Sequence, residues 1–130
     1  MLGDHSIDAM LLATDLAVAK DFYVGRIGLE ILIEDDDFLT LKCGGDSRLV
    51  LTKSTTGTTE DATKACWRVD DLASELAELH SRGVEIEEYD GPGLKTVDGI
   101  ADVGFALSSW IVDPDRNTLG MLQFKDEGAS

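Results

Sequence analysis

The chain has 130 residues, 43% hydrophobic and 28% charged, enough for one domain with a real core. It carries 26 Asp and Glu against 11 Lys and Arg, a formal charge of −15. A surface that acidic repels phosphate backbones and anionic lipid, which argues against nucleic acid and membranes as partners.

The elements follow in chain order. The opening MLGDHSIDAMLLA has no basic region and no clear cleavage site, so no signal peptide is expected. IDAMLLAT (7–14) reads as a strand. In the next stretch Leu16, Ala19, Phe22 and Tyr23 share one helical face, with Asp15 placed to cap it. Three strands follow, at 29–35, 37–43 and 47–53. The acidic run EDDD (34–37) is a solvated turn between two of them; it lacks the alternating ligand spacing of an EF-hand. STTGTTED (54–61) is a polar linker. TKACWRV (63–69) is a strand, and Leu72, Leu76 and Leu79 form the apolar face of a second helix. Asp70 or Asp71 caps its start and Gly83 its end. VEIEEYD (84–90) is expected as a strand and 91–104 as a Gly-rich loop. FALSSWIVD (105–113) and TLGMLQF (118–124) make a hairpin. Cys43 and Cys66 are the chain's cysteines, read as two reduced thiols in the cytoplasm.

The order is therefore β-α-β-β-β twice. The repeat is visible in the residues: ATDLAVAKDFYVGRIGLEI (13–31) and RVDDLASELAELHSRGVEI (68–86) share an Asp-Leu pair, a helical pattern, a Gly and a closing Glu-Ile. Neither unit buries both faces of a sheet alone.

This pattern, with TDLAVAKDFYVGRIGLEI and the turn in VDPDRNTLGMLQ, resembles the vicinal oxygen chelate superfamily. That group includes glyoxalase I, extradiol dioxygenases, fosfomycin-resistance thiol transferases and bleomycin-binding resistance proteins. The resemblance covers residues 6–125. It implies an α+β fold in one domain spanning 1–130, with units at about 6–53 and 62–125. Each unit gives a mixed, largely antiparallel sheet, and the sheets form a cup. The family usually has Gly where this chain has Arg116. Either Arg116 takes a positive φ at a cost of about 1 kcal/mol, or the turn shifts by one and Asn117 takes it.

In catalytic members four inward residues hold a divalent metal. The equivalent positions here are Asp8, Val50, Lys64 and Gly120. Val and Gly offer no lone pairs and Lys repels a cation, so the resemblance implies no metal and no other cofactor. Alternation along the strands turns Asp8, Met10, Leu12, Arg48, Val50, Thr52, Lys64, Cys66, Arg68, Ser108, Trp110, Val112, Thr118, Gly120 and Leu122 to one side. Leu11, Leu49, Leu51, Trp67, Val69, Ile111, Leu119 and Met121 face the helices.

The expected ligand site comprises Asp8, Met10, Arg48, Lys64, Cys66, Arg68, Ser108, Trp110 and Gly120. Its basic residues either pair with acidic neighbours at a rim or line a pocket for a polar or anionic molecule, with Trp110 as a stacking wall. The function expected is metal-free small-molecule binding. The alternative is an acid–base enzyme of the same superfamily using Asp8, Lys64, Cys66 or Tyr89. A homodimer is expected, and an Asp8–Lys64 ion pair in place of the metal.

Overall fold

The computed structural model describes residues 1–58 and 62–125. The chain is α+β and divides into two compact units. The first is Met1–Ala62 with Asp113–Asn117; the second is Thr63–Val112 with the chain from Thr118 onward.

The first unit contains β1 (Asp8–Ala13), α1 (Leu16–Lys20), β2 (Glu30–Glu34), β3 (Phe38–Lys42) and β4 (Arg48–Lys53). Its sheet runs β1-β4-β3-β2, with β1 parallel to β4 and the other neighbours antiparallel. Leu11, Leu39, Leu41, Leu49 and Leu51 are buried on one face, where α1 packs on β3 and β4 and adds Ala19. The Asp15 carboxylate caps α1 by accepting from the Ala17 and Val18 amides at 3.0 and 3.3 Å.

Beyond Lys20 the helix widens into a π-helix over Asp21–Arg26, which the apolar pattern alone does not reveal. The wide turn buries Phe22 and Tyr23 side by side, ring edge to face, with centroids 5.1 Å apart.

The turn at 113–117 belongs to this first unit although the residues on either side of it, Val112 and Thr118, belong to the second. Asp113 is 5% exposed and its carboxylate accepts four hydrogen bonds. Tyr23 Oη donates at 2.6 Å, Asn117 Nδ2 at 2.8 Å, and the amides of Asp115 and Asn117 at 2.8 Å each. Asn117 Nδ2 also donates to the Leu12 carbonyl at 2.9 Å, and Thr58 Oγ1 donates to Asn117 Oδ1. Asp115 accepts from the amide and hydroxyl of Thr14 at 3.0 and 2.6 Å. Arg116 takes φ 68. The turn has not shifted, because the Asn117 side chain is already committed to these bonds.

The second unit contains β5 (Thr63–Arg68), α2 (Leu72–Ser81), β6 (Asp90–Gly91), β7 (Leu94–Lys95), β8 (Ala101–Asp102), β9 (Ala106–Val112) and β10 (Thr118–Phe124). Its main sheet repeats the plan of the first as β5-β10-β9-β8, with β5 parallel to β10. Asp71, not Asp70, caps α2, accepting from the Ser74 amide at 3.2 Å. Gly83, at φ 81, closes it: Val84 N–H donates to the Leu79 carbonyl and Gly83 N–H to that of His80, a Schellman pair. Leu72, Leu76, Leu79, Ile111, Leu119 and Met121 are buried in this unit.

Two expectations need correction. No strand forms over 84–89; its backbone bonds include Glu87 N–H to the Trp110 carbonyl and Thr96 N–H to the Tyr89 carbonyl, too scattered for a ladder. The edge position falls instead to β8, inside the stretch expected as loop. Glu88 explains part of this. Its carboxylate accepts from Thr96 Oγ1 at 2.5 Å and the Gly99 amide at 2.8 Å, drawing the loop onto the segment. Val97-Asp98-Gly99-Ile100 then closes a two-residue hairpin turn with both central φ values positive, 55 and 81.

The expected linker 54–61 lies partly outside the described residues, at 59–61. Its first part is ordered within the first unit: Ser54 Oγ accepts from the amides of Thr56 and Gly57.

Candidate functional site

Each four-stranded sheet has a second face, opposite the one its helix packs on. In the first unit its lower row crosses all four strands as Glu30, Lys42, Arg48 and Asp8, joined by direct register pairs. Arg48 donates to Asp8 through Nε at 3.1 Å and Nη2 at 2.7 Å, a bidentate ion pair. That hydrogen bonding holds the Asp8 carboxyl below the usual carboxylate range and raises Arg48 further. The next row is Thr40, Val50 and Met10; the one after is Phe38, Thr52 and Leu12. Met10 is 60% exposed, and Phe38 and Leu12 about as open as each other.

In the second unit the row through Gly120 joins Cys66, Gly120 and Trp110. Gly120 is buried although it has no side chain. A Cβ there would lie 3.3 Å from Thr63 Cγ2, 3.4 Å from Cys66 Sγ and 3.7 Å from Trp110 Cδ1. Trp110 is half-buried and meets Tyr89 edge to face, with centroids 5.5 Å apart. The ladder between β5 and β10 shifts register here: Thr63 pairs with Thr118, and Ala65 with Leu119. Lys64 is the extra residue of that bulge, so alternation does not fix its direction. Thr63, not Lys64, stands beside Gly120. Ser108 is on the same face but 4% exposed, whereas Arg68 and Cys66 are exposed. Although the residue is exposed, its Sγ lies against Gly120, and the partial desolvation there raises the Cys66 thiol above its ordinary pKa.

Sequence reasoning missed Lys42, Thr40 and Phe38 on the first face. Their signal was present: in DFLTLKC they alternate with Leu39 and Leu41, which are buried.

No family model matches the chain, and no curated protein does by sequence. Solved structures do. TnmS3, an antibiotic binding protein from Streptomyces sp. CB03234, is 25% identical with a TM-score of 0.66, over 93% of this chain and 96% of that one. A bleomycin-binding protein complexed with bleomycin is 22% identical with a TM-score of 0.71, over 94% and 99%. Lactoylglutathione lyase from Agrobacterium tumefaciens is 20% identical with a TM-score of 0.67, over 94% and 95%. In fold, the chain is like the glyoxalase, bleomycin-resistance and dioxygenase proteins of the vicinal oxygen chelate superfamily.

The metal positions of that superfamily can be taken one at a time. Both oxygens of Asp8 are engaged by Arg48. Val50 is 6% exposed and apolar. Gly120 has no donor, and Thr63 and Cys66 close on the space a side chain would use. Lys64 carries a cation. This donor set does not fit a divalent metal. Among the described residues, no three His, Cys, Asp or Glu are grouped so as to hold an ion elsewhere. Among the described residues, no helix is long and apolar enough to cross a membrane.

Proposed function

We propose that this chain is a small-molecule-binding protein that works without a metal. It holds a polar or anionic ligand on its open sheet faces and acts as a cytoplasmic homodimer. The observation that carries the reading is the capture of Asp8 by Arg48. Of the four superfamily metal positions, Asp8 alone has an anionic donor, and an arginine has taken both its oxygens. The antibiotic-binding and bleomycin-binding proteins of the same fold support binding as the activity. Exposed Leu32 and Ile33 on the edge strand β2 support self-association.

An acid–base enzyme is the second reading, and two observations weigh against it. Arg48 makes Asp8 a weaker base, and partial desolvation makes Cys66 a weaker nucleophile at neutral pH.

The test is a thermal-shift screen of purified protein against small acids, antibiotics and aromatic compounds, run with and without EDTA. The reading predicts ligands that raise Tm equally in both conditions and are recovered unchanged. Ligands that act only before chelation, or turnover of a bound compound, would overturn it.

A further inference from the structure

We propose that the first unit alone carries the anchor for an amphipathic carboxylate, with Arg48 and Lys42 taking the acid group and Met10 taking the apolar body. The inference rests on the binding reading above and gives that ligand a chemical class and an orientation.

Three observations converge on it. First, the charged row places its two cations in the middle: Lys42 and Arg48 are register partners, with Glu30 and Asp8 outermost. A single anion over the centre of the row meets both cations before either carboxylate. Second, Arg48 is pre-organised. Asp8 occupies its Nε and one Nη2 donor, which fixes the guanidinium plane and leaves the Nη1 donors for another acceptor. The side chain stays 42% exposed, so an incoming acid can reach it. Third, the rows above expose apolar side chains at Met10, Leu12 and Phe38, while Val50 and Thr40 between them are buried. Successive residues on one strand face lie about 7 Å apart. A ring one or two bonds from a carboxylate held at Arg48 therefore lands on Met10, with Leu12 and Phe38 one row further. Met10 is a flexible apolar surface of the kind that adapts to varied ligand shapes. A protein of charge −15 repels anions at long range, so two adjacent unburied cations beside an exposed apolar stripe mark the place where one would be accepted.

The probes are 2-naphthaleneacetate and its neutral amide, which differ in charge and hardly in shape. Binding is followed through the methionine methyl groups, labelled with carbon-13, and by titration calorimetry. The expected result is that the acid binds at least about tenfold more tightly than the amide. It shifts the Met10 methyl and leaves that of buried Met121 in place. Arg48→Gln removes the preference for the acid and Lys42→Gln reduces it; Arg48→Met, which also removes the charge, is checked by circular dichroism and serves if Arg48→Gln does not fold.

Equal affinity for acid and amide, an unshifted Met10 methyl, or a preference that survives Arg48→Gln would overturn the inference. So would failure of both probes to bind. Each of those results leaves the wider binding reading to the thermal-shift screen, which succeeds or fails on any ligand at any face.

Discussion

Asp113 and Asp8 lie in the same unit, each a carboxylate held by specific donors, yet their surroundings assign them opposite work. Asp113 is 5% exposed and accepts from four donors, including a phenol and a side-chain amide. Those donors exhaust its acceptor sites, so nothing of it is left for a ligand. Asp8 meets one arginine on an open face, and that arginine keeps donors to spare. The first arrangement ties a turn to a helix and a strand. The second presents a charge. Degree of burial, not residue type, separates the structural carboxylate from the one beside a binding surface.

The contrast is tested most severely at Asp113. Asp113→Ala leaves the Tyr23 phenol and the Asn117 amide without their acceptor, so unfolding free energy should fall by on the order of 3 kcal/mol or more. Chemical denaturation measures this; a loss below about 1 kcal/mol would remove the structural role.

Tyr23→Phe should cost less, about 1.5–3 kcal/mol, the range for a hydrogen bond to a charged acceptor. Burial first, and Asp113 second, raise the Tyr23 pKa well above the ordinary phenol. A raised acid stabilises the fold fully below its unfolded pKa, about 10, and loses that contribution as pH rises toward the folded value. Wild type should therefore lose stability above about pH 10 more steeply than Tyr23→Phe. Parallel alkaline profiles would contradict the buried phenol.

Arg116→Gly should move stability the other way, by up to about 1 kcal/mol, because φ 68 suits glycine and strains arginine. A destabilised variant would show that the arginine side chain matters more than its backbone.

The smallest effect belongs to Asp8. Asp8→Asn should leave thermal unfolding at neutral pH almost where it was, since the pair is open to water. Arg48 lowers the Asp8 pKa, so whatever the charge contributes is present above the unfolded carboxylate range and vanishes as pH falls through the folded value. Wild type and variant should converge in acid. A neutral-pH loss matching that of Asp113→Ala would erase the contrast between the two carboxylates.

Much of this architecture was legible in the residues. Period-two alternation placed Leu11, Leu49, Leu51, Ile111, Leu119 and Met121 in the core, and each is buried; Trp67 and Val69, expected with them, are only half-buried. The capping aspartates and Gly83 announced both helices. The segment 84–90 misled because VEIEEYD alternates like a strand, while the competing signal lay further on. Asp98-Gly99 between Val97 and Ile100 is a hairpin dipeptide, and it reorganised the loop. The π-helix left no trace in an apolar pattern that a normal helix also satisfies. On the open faces, alternation found Asp8, Met10, Arg48, Cys66, Trp110 and Gly120. It could not foresee that Arg48 would claim Asp8, because register between β1 and β4 depends on the folded sheet. Nor could it foresee the bulge at Lys64, where one extra residue breaks the count.

The central claim is that this vicinal oxygen chelate fold works without its metal, and native mass spectrometry tests it most directly. The protein is incubated with excess zinc, manganese, nickel or ferrous ion, desalted, and weighed beside Asp8→Asn treated the same way. The account predicts that for every ion both proteins keep their metal-free mass, with no ion added per chain. One tightly held ion per chain in the wild type, absent from Asp8→Asn, would contradict it.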